Sequence, residues 1–104
     1  MSAASSRWMG LIAQLPCVVC RSLDQPSGPV EVHHVAEGSG LRSDFATVPL
    51  CYDHHRGAAG LHGLGTKAFL RTYRPPGESE YGLLVWTLEE LEKLLWTTGK
   101  AAKR

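Results

Sequence analysis

Two pairs of potential metal ligands with the same two-residue gap constrain this chain more than any other feature. Cys17-Val18-Val19-Cys20 is the first pair and Cys51-Tyr52-Asp53-His54 the second. A structural zinc site takes four thiolate or imidazole ligands in a tetrahedron, and these knuckles together supply a Cys3His set. Binding zinc contributes about 10–16 kcal/mol in small metal-folded domains, against about 5–15 kcal/mol for the whole stability of a domain. A zinc ion on Cys17, Cys20, Cys51 and His54 would therefore decide whether the chain folds. The alternative reading is three buried free thiols beside a solvated His54. At 104 residues the chain is expected to be one domain with a modest core, the size at which a staple matters. Its three cysteines are an odd set for a secreted disulfide framework.

Composition narrows the partners. The chain is 43% hydrophobic and 20% charged, as a globular protein is. Eleven basic residues face ten acidic ones, for a formal charge of +1. Bulk charge is thereby excluded as the route to nucleic acid, which leaves a local patch or a metal. No apolar run approaches the roughly 18 residues of a membrane span, and residues 1–6 do not read as a signal peptide. The expected location is the cytoplasm of a bacterial host cell, with no membrane partner.

Periodicity gives the expected elements. Residues 1–6 are Ser/Ala-rich and read as a disordered N-terminus. Trp8, Leu11, Ile12 and Leu15 have the spacing of an amphipathic helix over 7–15, closed by Pro16. Val30 to Val35 is a β-branched run and the first expected strand; Phe45 to Leu50 is the second, with Pro49 at an edge or end. Residues 37–43 read as a flexible connection. A helix is expected from Asp53, which can cap it, and another over 66–73 with Thr66 as N-cap. Tyr81 to Trp86 reads equally as helix or strand. Thr87-Leu88-Glu89-Glu90 has the form of a capping box, opening a last helix to about Trp96 with Leu88, Leu91, Leu94 and Leu95 inward. Gly99 would end it, and 97–104 would be a basic flexible tail. Trp8, Trp86 and Trp96 are expected to pack rather than to stack on bases.

Four further histidines follow the knuckles' chemistry: His33, His34, His55 and His62. The stretch Val30-Glu31-Val32-His33-His34, with Thr47-Val48-Pro49-Leu50-Cys51-Tyr52-Asp53-His54-His55, resembles the HNH (ββα-metal, His-Me finger) nucleases. With Gly60-Leu61-His62-Gly63 it looks like the phage recombination-enhancement (Ref-type) nucleases. The resemblance covers about residues 15–75. It implies hydrolysis of a DNA phosphodiester, leaving 5′-phosphate and 3′-hydroxyl ends, and places the general base at His34. It implies a catalytic divalent cation on His33, His55 and His62. An all-imidazole set favours Zn2+, Ni2+ or Mn2+ over Mg2+, although the family accepts Mg2+ as well. Some Ref-type nucleases act with a recombinase filament, so a recombinase is a possible partner besides DNA. The chain departs from the family where an Asn usually orients the base; Asp44 or Thr47 stands in a position to take that role.

The cations have readings of their own. Arg56 follows His55 and can reach a phosphate oxygen by a charge-assisted bond. Arg42 lies between the strands, a natural place to meet a DNA backbone. Lys67, Arg71 and Arg74 are spaced to share one helix face. The expected protein is thus α+β: a ββα-metal domain over 7–96 with a structural zinc knuckle and flanking helices, acting on DNA with little sequence specificity. The rival is a non-catalytic zinc module that binds DNA or protein and uses the other histidines only structurally.

Overall fold

The computed structural model describes residues 2–36 and 42–102, and only the backbone of 99–102. Helix α1 spans Ala3–Ile12 and a short α2 spans Val18–Ser22. Strands β1, Val30–His34, and β2, Thr47–Cys51, pair antiparallel, with Val30 opposite Cys51 and His34 opposite Thr47. Then come α3, Tyr52–His55, α4, Leu61–Leu64, α5, Thr66–Tyr73, a 3-10 turn at Pro76–Glu78, and the long α6, Glu80–Ala102. The result is a small mixed α+β domain built on a two-stranded sheet.

Strand β2 is the centre of the molecule. All five of its residues are buried, and α1, α2, α3 and α6 pack against it. Pro49 sits opposite Val32 and has no N–H to donate; every strand of a two-stranded sheet has one unpaired side, where a proline fits. Val18, Val19, Val48, Leu50, Phe69 and Leu83 form one apolar cluster. Ile12, Leu15 and Leu91 form a second, flanked by Trp8, Leu11 and Val32. Each such side chain contributes about 1.5–3 kcal/mol by leaving water.

Both ends differ from expectation. Helix α1 starts at Ala3, so residues 3–6 are helical rather than frayed: the Ser2 hydroxyl accepts from the Ser5 N–H at 3.0 Å and caps it. At the other end, Tyr81 to Trp86 form the first turns of α6, and Thr87 lies inside the helix. Its hydroxyl donates to the Leu83 carbonyl at 2.8 Å, so Thr87 to Glu90 is not a capping box. The earlier start sets the buried face at Leu83, Thr87 and Leu91. Leu88, Leu94, Leu95 and Trp96, all expected to pack, are instead exposed, Leu88 at 54% and Trp96 at 61%. The helix also runs on through Gly99 into the expected tail, whose residues 103 and 104 lie outside the described residues, as do 37–41 of the connection between the strands. Asp53 lies within α3, whose cap position is Cys51, and the cap of α5 is Gly65 rather than Thr66.

Candidate metal centres and the histidine cleft

The two knuckles meet where α2 starts and β2 ends. Cys17 occupies the cap position of α2, and its sulfur accepts from the Cys20 N–H at 3.5 Å. Cys51 closes β2, and His54 follows on α3. Zinc bonds of about 2.3 Å to sulfur and 2.0 Å to nitrogen give a tetrahedron with edges of about 3.8 Å between sulfurs and 3.5 Å from sulfur to nitrogen. Observed are 3.7 Å from Cys20 Sγ to Cys51 Sγ, and 3.7, 3.4 and 3.3 Å from His54 Nδ1 to Cys17, Cys20 and Cys51 Sγ. The donor set and its edges fit a metal ion such as zinc. The cysteines are free, and a 3.7 Å sulfur separation is far beyond a disulfide bond.

Burial shapes this cluster's chemistry. It pushes the Cys17 thiol up and the Cys20 thiol up to about 12, and holds His54 below the usual imidazole range. A metal arriving here displaces thiol protons but none from a neutral imidazole. The Tyr73 ring meets His54 edge-on at 5.3 Å, and its hydroxyl donates to the Ala59 carbonyl at 2.8 Å, which ties α5 to this cluster.

Three histidines make a second gathering, separate from the first. Ligand-capable atoms of His33, His55 and His62 lie within 4.8 Å of one another. His33 comes from β1, His55 ends α3, and His62 is on α4. The return of His62 to His55 depends on glycines. A Cβ on Gly63 would lie 2.1 Å from the Gly57 carbonyl oxygen, and one on Gly60 would lie 2.6 Å from that of Asp53. Only bare backbone lets α4 fold this closely onto α3, and the Nε2 atoms of His55 and His62 end 3.1 Å apart. Bonds of about 2.0–2.1 Å to one ion give edges of about 2.8–3.0 Å in an octahedron and about 3.3–3.4 Å in a tetrahedron, and the separation of 3.1 Å falls between them.

Two carboxylates stand behind these rings. Glu80 accepts from His33 Nε2 at 2.9 Å, with both residues buried. Glu31 accepts from His55 Nδ1 at 2.6 Å and from Arg56 Nε at 3.1 Å. Burial is the main force lowering the His55 pKa, opposed by Glu31 and reinforced by His33 and His62. The bond from His55 holds the Glu31 carboxyl below the usual carboxylate range, helped by Arg56.

His34 sits at the end of β1, where the alternation of faces stops applying, and it borders the same cleft as His33. Its Nε2 donates to Asp44 Oδ1 at 2.9 Å, and Arg42 Nη2 donates to its Nδ1 at 3.3 Å. Thr47, the other residue expected here, donates instead to the Asp44 carbonyl at 3.1 Å and so steadies the turn that carries Asp44. The cleft has a volume of about 260 Å³ and is lined by His33, His34, Arg42, His55, Arg56 and His62. Lys67 and Arg71 lie exposed on α5, and Arg74 caps it in a left-handed conformation at φ 52°, outside this lining.

Sequence reasoning missed Glu31, Glu80 and Tyr73. Glu31 precedes His33 by two on a strand, a spacing that places both on one face and was readable. Glu80 is brought in by a remote helix and carried no signal.

Fold and site together define a small mixed α+β domain that carries a Cys3His cluster able to hold a metal ion such as zinc and a separate histidine-lined cleft. Over residues 1–92 the chain matches the family described as recombination enhancement, RecA-dependent nuclease, and it belongs to that family. No curated protein and no solved structure matched it. Among the described residues, no helix is long and apolar enough to cross a membrane.

Proposed function

We propose that this protein is a metal-dependent endonuclease of the HNH, ββα-metal type that hydrolyses DNA phosphodiester bonds in recombination. The observation that carries the reading is the convergence of His33, His34, His55 and His62 with Arg42 and Arg56 on one cleft. The hairpin β1–β2 followed by α3 has the ββα order, and the family description supplies nuclease and recombination.

The chain's own residues divide the work. His34 Nε2 is held as a donor by Asp44, so its Nδ1 carries the lone pair; Arg42 Nη2 engages it at 3.3 Å, and once Arg42 turns to the phosphate this nitrogen is the general base. Asp44 takes the orienting place of the family's Asn and stabilises the imidazolium that forms. Water attacks phosphorus, its proton passes to His34 Nδ1, the bond to the 3′ oxygen breaks, and that oxygen takes a proton from solvent water. The products are a 5′-phosphate and a 3′-hydroxyl. His33, His55 and His62 would hold a divalent cation, which would supply charge neutralisation for the reacting phosphodiester. An all-imidazole set favours Zn2+, Ni2+ or Mn2+ over Mg2+. Arg56, anchored through Nε to Glu31, and Arg42 face the cleft as phosphate donors. Lys67, Arg71 and Arg74 extend the backbone contact along α5. Nothing in the sequence resembles a base-reading helix, so cleavage is expected to show little sequence preference.

Zinc on Cys17, Cys20, Cys51 and His54 holds the end of β2 and the start of α3 in place. The Ref-type reading adds a recombinase as partner, a phage or prophage origin and action in the bacterial cytoplasm. Nicking of supercoiled plasmid with and without His34→Ala, at matched zinc content, tests the reading. Loss of nicking in a folded variant is expected, and undiminished nicking would overturn the assignment of the base.

A further inference from the structure

The two carboxylates behind the histidine cleft grip their imidazoles by different nitrogens. Glu80 accepts from Nε2 of His33, whereas Glu31 accepts from Nδ1 of His55. A neutral imidazole has one N–H and one lone pair, so whichever nitrogen donates to a carboxylate leaves the other as the ligand. His33 is left with Nδ1, and His55 with Nε2, which lies 3.1 Å from Nε2 of His62. We infer that Glu80 and Glu31 are positioning residues that lock His33 and His55 in opposite tautomers, so that one cation meets Nδ1 of the first ring and Nε2 of the second. This rests on the reading of His33, His55 and His62 as a cation site.

The arrangement follows from where the rings start. The two rings lie 5.2 Å apart, edge to face at 69°. His33 stands on a strand and His55 on the last turn of a helix, so they approach the shared space from different backbones. Glu80 enters from the first turn of α6, and Gly82 lets that turn come close: a Cβ there would lie 2.2 Å from the Pro76 carbonyl oxygen. Pro75 and Pro76 thereby fix the start of α6, and with it the carboxylate against His33. A segment remote from the hairpin is thus built into the selection of a ligand atom. Glu31 does the same from within the hairpin and also fixes Arg56, so one side chain coordinates a ligand ring and a phosphate donor.

The test uses the full chain with zinc in the Cys3His cluster. Two-bond nitrogen–proton correlations on ring-labelled protein, before a second ion is added, report each tautomer. Expected are an Nε2–H form for His33 and an Nδ1–H form for His55. Titration with Ni2+ alone then measures the second site calorimetrically. Glu80→Gln and Glu31→Gln are each expected to weaken Ni2+ binding about 10–100-fold, with the Cys3His zinc retained and the matching ring shifting toward a mixture of tautomers. Glu31 is partly exposed, which keeps its variant informative should the buried Glu80→Gln fail to fold. Wild-type protein that binds Ni2+ with His33 in the Nδ1–H form overturns the tautomer lock alone. Variants that bind Ni2+ as tightly as the parent do the same. Wild-type protein that takes up no second ion overturns the cation site itself.

Discussion

His34 Nε2 lies 2.9 Å from Asp44 Oδ1, and this pair ties the end of β1 to the turn before β2. The bond from His34 holds the Asp44 carboxyl below its usual range, with Ser5 of α1 and Arg42 adding to the effect. The pair thus combines an acceptor that stays ionised with a ring whose other nitrogen meets Arg42 beside the cleft. His34→Ala is expected to lower plasmid nicking by about 10²–10⁴-fold, the usual yield of general-base catalysis. Asp44→Asn should cost less, because an amide oxygen still accepts the Nε2–H but no longer stabilises the imidazolium. Equal losses for the two variants would contradict an orienting role for Asp44.

Removing a zinc ligand should unfold the domain. Cys17→Ser deletes a sulfur at the centre of the apolar cluster around Val18 and Val19. A structural zinc contributes about 10–16 kcal/mol, as much as such a domain has in total. Loss of a cooperative thermal transition is expected, with zinc absent by elemental analysis; an unchanged melting temperature would refute the structural ion. The parent should hold two ions per chain when the second site is filled.

Zinc loading should release protons. Burial raises the Cys17 thiol, and the Cys20 thiol to about 12, and in an unfolded metal-free chain a thiol titrates at about 8.5, so either way both are mostly protonated at neutral pH before the ion binds. The ion binds thiolates, so protons compete with it, and apparent affinity climbs as pH rises. A pH-indicator dye in weak buffer should report acidification on loading. A pH-independent affinity between pH 6 and 8 would argue that the thiols are already ionised.

Gly63→Ala probes the turn that returns His62 to the cleft. The added Cβ would sit 2.1 Å from the Gly57 carbonyl oxygen, so α4 must move off the loop that joins it to α3. Overpacking of this kind costs about 1–3 kcal/mol. The expected outcome is a lower melting temperature, read by circular dichroism, together with weaker binding of a second ion, while zinc stays in the Cys3His cluster. Unchanged second-site affinity would detach His62 from the cation.

Lys67 and Arg71 stand four apart on the exposed face of α5. If they meet DNA phosphates, Lys67→Ala and Arg71→Ala should each reduce the slope of log affinity against log salt by about 0.9 on duplex DNA. Fluorescence anisotropy over a salt series measures it. An unaltered slope would mark them as ordinary surface charge.

Much of the site was legible because metal chemistry is written in residue type and spacing. Cys17, Cys20, Cys51 and His54 could be grouped from their gaps, since a two-residue gap leaves two side chains on one small turn. Strands expected at 30–35 and 45–50 and a helix expected over 66–73 were readable for the same local reason, β-branched runs and helical spacing; the structure has them at 30–34, 47–51 and 66–73, with Gly65 rather than Thr66 as the cap. The last helix was misjudged because Thr87 with Glu90 looks like a start. Whether a threonine caps a helix or bonds back to the carbonyl four residues earlier depends on what precedes it, and here Leu83 and Glu80 pack into the body. The exposure of Leu95 and Trp96 followed, because the face of a long helix is set where it first meets the core.

By itself the sequence determined which atoms can bind metal, since thiol and imidazole spacing is a local property of the chain. It also determined the hairpin that carries two of the histidines. Only the tertiary structure decided which nitrogen of His33, His34 and His55 meets a carboxylate, and which carboxylate that is. Glu80 reaches His33 across 47 positions of chain, and that meeting depends on the packing of α6 on β2 rather than on any neighbour in sequence.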